Sequence, residues 1–186
     1  MQKARLEKLF IEKIHPDLKQ LLALTNSMKV PFLKKIVLNI GVKEAISDSK
    51  VLNQAEEMLM AISGQKPSRR LARKSIASFK LREGMAIGVM VSLRRKKMYE
   101  FLDRLINLAL PRIRDFQGVN RAFDGMGNYN LGIKEASVFP EIDLGVGQKV
   151  LGLNITIHTS AGNDADGFKL LELFGMPFKK LSKAIK

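Results

Sequence analysis

Apolar residues recur along this chain in two periods. In three stretches every second residue is apolar, the mark of a half-buried strand. From Lys35 to Lys43, Ile36, Leu38, Ile40 and Val42 alternate with Val37, Asn39 and Gly41. From Ala86 to Arg94, Ile87, Val89, Val91 and Leu93 alternate with Ala86, Gly88, Met90 and Ser92. From Leu151 to Ser160, Leu153, Ile155 and Ile157 alternate with Asn154, Thr156 and His158. Elsewhere the spacing is helical. Leu6, Leu9, Phe10 and Ile14 predict a helix over 3–14 that ends at His15-Pro16, with a second short piece from Asp17 to Leu24. Met28 to Phe32 is a connector broken by Pro31. Asp48 or Ser49 caps a helix to Ser63 with Val51, Ala55, Met58, Leu59 and Ile62 as its stripe and Gly64 as terminator. Met98 to Leu110 is a third, stopped by Pro111. Asn163 or Asp164 caps the last, which runs through Phe174 to Gly175 and Pro177. Between Arg112 and Gly152 frequent glycines punctuate short apolar pieces, as in loops joining brief strands.

Three strands with one aliphatic face and one small or polar face predict an antiparallel sheet with one side open. Amphipathic helices must cover the other side, which makes the fold class α+β in two layers. The chain has no internal repeat, and a single domain over 1–178 is expected, followed by a basic tail at 179–186.

Composition narrows the chemistry. With no cysteine there is no disulfide, thiolate metal site or cysteine nucleophile. No run of ~18–20 apolar residues exists, and the opening MQKARLEKLF lacks the apolar core of a signal, so a soluble protein is expected. The charge is concentrated. Residues 64–97 hold eleven Lys or Arg against the single acid Glu83, ten of the formal net +14. Lys66 to Lys80 alternates basic with small residues and suits a hairpin arm, placed at about 72–83, better than a packed element. A basic edge can merely discourage strand pairing, but eleven charges against one fit a polyanion binder better.

Enzymatic chemistry finds no support. His15 and His158 are far apart and lack partners for a metal site. Gly125-Met126-Gly127 and Gly145-Val146-Gly147 stand outside any strand–GxGxxG–helix context, and no phosphate-loop motif occurs. No cofactor is implied. Among nucleic acids, duplex DNA is usually read by a basic helix in the major groove. Here the charge falls on an arm and a strand edge, beside the hydroxyl and amide side chains of Asn39, Gln65, Ser92 and Asn154, an arrangement suited to structured RNA.

Six ordered segments carry a resemblance: KIVLNIGVKEA (35–45), SGQKPSRRLARKSIASFKLREGMAIGVMVSLR (63–94), MYEFLDRLINLALPRIRDFQGV (98–119), FDGMGNYNLGIKE (123–135), FPEID (139–143) and LELFGMPF (171–178). Through them the chain resembles the L5 family of large-subunit ribosomal proteins in its bacterial or organellar form. The resemblance implies an α+β RNA-binding protein of the central protuberance that binds 5S rRNA and large-subunit rRNA. It also implies contact with P-site tRNA through a hairpin arm, a bridge to a small-subunit head protein of the S13 family, and neighbouring protuberance proteins, on a cytoplasmic or organellar ribosome. It assigns rRNA contact to Asn39, Gln65 and Ser92, the last replacing the family's threonine, with Lys66, Arg69, Arg70 and Arg94 beside them. It assigns tRNA contact to Arg73, Lys74, Ser78, Phe79, Lys80 and Arg82, and the intersubunit bridge to Arg112, Arg114, Glu141 and Asp143. The competing expectation is a non-ribosomal RNA chaperone or RNA-processing subunit using the same open sheet.

Overall fold

The central strand β1, Leu33–Gly41, is aliphatic on one side only, and the rest of the fold follows from covering that side. A computed structural model describes residues 3–46, 48–142 and 149–179. In it β1 is flanked by β3, Ala86–Leu93, and β5, Leu153–Thr159, with β2, Ser68–Leu71, and β4, Tyr129–Ile133, at the edges. The five strands run in the order β2-β3-β1-β5-β4, every pair antiparallel. Two of them, β2 and β4, go beyond the three that the alternation predicts. Neither has an alternating apolar face long enough to register: β2 is exposed throughout, and β4 carries Asn130 and Gly132 within five residues.

Ile36, Leu38, Ile40, Val89, Leu93, Ile155 and Ile157 form the core face of the sheet, each at most 1% exposed. Helix α3, Ser49–Ser63, packs on β3 from this side. Asp48 caps it by accepting a hydrogen bond from the Lys50 amide, and Gly64 closes it at φ +60°, the left-handed conformation that glycine adopts without a side-chain penalty. Helix α4 runs over Arg95–Arg104. It begins three residues before the predicted Met98, so Arg95, Lys96 and Lys97 lie on a helix and not on the strand edge. Lys97 Nζ turns back to donate to the Gly64 carbonyl at the end of α3. Helix α5, Asp164–Leu173, is capped by Asn163, whose side chain accepts from the Asp166 amide.

The first proline stop behaves differently from the prediction, and the second holds to within one residue. The first helical run does not end at His15-Pro16: α1, Arg5–Leu9, leads through a π-helical turn, Phe10–Ile14, directly into α2, His15–Leu21. At the second, α4 passes through a π-helical turn, Leu105–Ala109, into a 3-10 turn, Leu110–Arg112, that contains Pro111. The residue before each proline, His15 or Leu110, donates its amide five residues back, to Phe10 or Leu105. A proline ring collides with the carbonyl four residues earlier in a regular α-helix. Widening the preceding turn moves that carbonyl aside, and the chain continues without a break. The gain is packing: Phe10, within the first π turn, stacks on Phe174 at 5.8 Å and meets Tyr99 at 6.5 Å. The Arg5 guanidinium binds the Asp103 carboxylate and ties α1 to α4.

Candidate nucleic-acid interface

Strand register fixes which side chains share the face opposite the helices. One row across the sheet reads Ser68, Met90, Asn39, Asn154 and Gly132, and the next reads Ser92, Val37, Thr156 and Asn130. A third joins Arg70, Gly88 and Gly41. Small, hydroxyl and amide side chains dominate these rows, and none of the packed helices covers them. Asn39 and Ser92 are half-buried and lie in adjacent rows. Thr156 Oγ1 is within 2.9 Å of Asn130 Oδ1, which orders the two groups on the far side of Asn39.

Gln65 reaches the same region from the loop between α3 and β2. The buried Ser63 hydroxyl sets that loop: it lies 2.6 Å from the Leu59 carbonyl, 3.0 Å from the Gln65 carbonyl and 3.2 Å from the Gln65 amide. The backbone of Gln65 is thus fixed, while its side chain makes no hydrogen bond among the described residues. Lys66 is exposed beside it.

The neighbouring basic residues divide between the two faces. Arg70 lies on the open face, its guanidinium 3.6 Å from the Met90 sulfur. Arg69 points the other way, with Nε 2.9 Å from Glu56 and Nη2 3.1 Å from Asn53, both on α3. It fastens the edge strand to the helix layer. Arg94 is exposed at the opposite end of β3, where it forms the N-cap position of α4.

Beyond β2 and β3 the hairpin continues as the arm. Ala72 and Met85 are joined by a backbone bond of 2.8 Å, Ile76 pairs with Leu81, and the Glu83 amide donates to Ser75 Oγ at 2.9 Å. Lys80 closes the tip turn in the left-handed region at φ +52°. Arg73, Lys74, Ser78, Phe79, Lys80 and Arg82 are all exposed, and none forms an ion pair among the described residues. Phe79 is 62% exposed.

The residues expected to bridge do not form one cluster. Arg112 and Arg114 are exposed along a groove with Lys134 and Glu135 beside β4. Glu141 is turned inward to the Arg104 guanidinium, whose Nη2 also donates to the Ile62 carbonyl at 2.8 Å. Asp143 lies outside the described residues.

The alternation also left two features of the open face unread. Asn130 reaches it only because β4 exists. At the start of β1 a bulge between Leu33 and Lys35 adds one residue against β5, and Lys35 pairs with His158. His158 is held below its ordinary pKa, first by burial and then by the repulsion of Lys35, with Lys34 adding least, against an opposite pull from Asp124.

Among the described residues no helix is long and apolar enough to cross a membrane. Residues 26–82 match the family model described as ribosomal protein L5, and residues 86–178 match the model for the C-terminus of the same ribosomal family. The chain is 58% identical over 178 residues to the large ribosomal subunit protein uL5 of Syntrophotalea carbinolica, covering 95% of this chain and 97% of that one. It is 55% identical over 177 residues to uL5 of Geotalea daltonii, with 95% and 99% covered. To uL5 of Bacteroides fragilis it is 50% identical over 180 residues, with 97% of each covered. The chain belongs to the L5 family of large-subunit ribosomal proteins, a family of structural proteins and not of enzymes.

Proposed function

We propose that this protein binds 5S rRNA in the large ribosomal subunit through the open face of its sheet and reaches P-site tRNA with its hairpin arm. The observation that carries the reading is the uncovered face itself. Asn39, Ser92, Thr156 and Asn154 lie side by side with no helix over them among the described residues, and Gln65 stands at the margin on a fixed backbone. Amide and hydroxyl groups suit phosphate oxygens and 2′-hydroxyls, the features by which proteins recognise folded RNA. The arm differs in kind: exposed cations without acidic partners, and an exposed aromatic ring, on a hairpin held by its own backbone bonds. Such a surface suits a phosphate backbone held at a distance from the sheet. The bacterial relatives support a place on a bacterial ribosome. Contact with a small-subunit head protein rests on Arg112 and Arg114, because Glu141 is committed to Arg104.

The test is direct binding of the full-length protein to 5S rRNA transcribed in vitro. The double variant Asn39→Ala, Gln65→Ala is expected to keep its fold by circular dichroism and to lose ~1–3 kcal/mol of binding, roughly 5- to 150-fold. Excising Lys74 to Lys80 and closing the arm with a tight turn should spare 5S rRNA binding while weakening tRNA retention on reconstituted ribosomes. Loss of 5S rRNA binding from the excision, with the double variant binding normally, would assign the two surfaces in reverse.

A further inference from the structure

The open face does not end at Asn39 and Ser92. Beyond them, at the end of the sheet away from the arm, the chain gathers positive charge. Strict alternation from Ile36 would send Lys35 to the open face and Lys34 toward the helices. The bulge between Leu33 and Lys35 breaks that alternation, and both lysines come within electrostatic range of His158. Arg94 follows Leu93, the partner of Ile36, and so continues the row of Lys35 and His158 across β3. Lys34 and Arg94 also line a common depression at the margin of the helix layer, with Glu7 of α1 and Arg95, Met98 and Tyr99 of α4.

None of Lys34, Lys35 or Arg94 forms an ion pair among the described residues. The acids nearest the cluster are Glu7 and Asp124, and neither is bound to a lysine there. Cations gathered against a half-buried imidazole repel one another, and Asp124, whose carboxylate is engaged by Asn128 and the Met126 amide, offsets them only in part. An arriving phosphate would complete the offset.

We propose that Lys34 and Lys35, beside His158 at the β1 bulge, and Arg94, next to Lys35 in the same row, form a second phosphate-binding foothold for the RNA that lies across the open face. The inference rests on the reading of that face as an RNA surface and extends it. The RNA backbone is held at both ends of the sheet, by Arg70 near the arm and by this cluster at the far end, with amide and hydroxyl contacts between. Continuity favours RNA over an acidic protein as the occupant: Thr156 lies two residues before His158 on β5, and Ser92 two before Arg94 on β3, so the polar rows run straight into the cluster.

The experiment uses the full-length protein and 5S rRNA transcribed in vitro, with affinity measured over a range of salt. For Lys34→Ala, Lys35→Ala the slope of log affinity against log salt is expected to become shallower by about 1.5, as for two lost phosphate contacts. Lys34→Arg, Lys35→Arg keeps the charges and should keep the slope. His158 supplies a second readout, because the chain has only two histidines and NMR can follow both. Its pKa should rise when RNA is added, as a phosphate offsets Lys35 and Lys34, and the rise should be absent in the double alanine variant. A folded double alanine variant with unchanged slope, or a His158 titration indifferent to RNA, overturns the proposal while leaving the Asn39 and Gln65 result to stand alone. A wild-type protein whose 5S rRNA binding has no salt dependence overturns both readings.

Discussion

The two faces of the sheet share one backbone and are built for opposite purposes. On the helix side Leu38 and Ile40 are fully buried beneath α3 and α4, and each neighbour across the strands is another aliphatic residue. On the other side Asn39, one residue away, lies between Met90 and Asn154 with no layer above it. The same alternation thus divides stability from recognition at a spacing of one residue. An apolar residue on the open face would strengthen nothing, because no layer packs there, and a polar one on the core face would cost its desolvation. Arg69 and Arg70 repeat the division at the edge strand: the first is bound to Glu56 on α3, and the second stays on the open side.

The largest expected effect tests the core face. Leu38→Ala should lower the unfolding free energy by ~2–5 kcal/mol, as a buried leucine leaves a cavity, read by urea denaturation. Asn39→Ala, its neighbour in sequence, should stay within about 0.5 kcal/mol of wild type, as other surface substitutions do. Comparable losses from the two would break the division of labour. A second test finds where the open face stops being tolerant. Gly88 lies in the Arg70 and Gly41 row, and a Cβ there would stand 2.8 Å from the Ile40 carbonyl oxygen. Gly88→Ala should therefore cost about 1–3 kcal/mol through backbone displacement, although it faces away from the core. A variant as stable as wild type would show that β1 and β3 can separate locally without loss.

A third, smaller effect belongs to the helix layer. Arg104 joins the Glu141 carboxylate to the Ile62 carbonyl, and the second oxygen of Glu141 is buried without a partner among the described residues. The pair is a quarter to a third exposed. Arg104→Ala should cost about 1–2 kcal/mol in thermal or urea unfolding and leave RNA binding unchanged, since it strands the acid without touching the open face. Loss of RNA affinity at constant stability would mean that the layers are coupled.

Much of this arrangement could be read from the chain. The faces of β1, β3 and β5 follow from strict alternation over seven or more residues, and α3 announces itself through Asp48 and Gly64. The features that escaped share a cause: each depends on a partner distant in sequence. β4 is a strand because it pairs with β5, while its own five residues, interrupted by Gly132, carry little signal. Pro16 reads locally as a stop, yet a π turn, Phe10–Ile14, joins the helices on either side of it and sets Phe10 against Tyr99 and Phe174. The direction of Arg69 is fixed by Glu56, and a bulge shifts the register between Leu33 and Lys35; neither is visible in the alternation.

The smallest effect separates the two faces by pH. Asp103, in the helix layer, is held below the usual carboxylate range by its hydrogen bond from Arg5, against the opposing effect of burial. Its contribution is fully present above the ordinary aspartate pKa of ~3.9 and disappears as pH falls through the lower folded value. His158, on the open face, is held down mainly by burial and then by Lys35 and Lys34. Between its folded pKa and the ordinary ~6.5 the unfolded chain binds more protons, so stability also rises with pH there. Both slopes have the same sign, but they occupy different windows. Unfolding free energy measured from pH 3 to 8 should rise with pH in two steps, the upper one ending near the ordinary histidine range. Asp103→Asn should reduce the acid step, which Asp124 shares, without touching the upper one, and His158→Gln should remove only the step near neutrality. Saturating 5S rRNA should suppress the His158 step, because a phosphate beside Lys35 favours the imidazolium, while the Asp103 step persists. Disappearance of both steps on adding RNA would mean that the nucleic acid reaches the helix side as well.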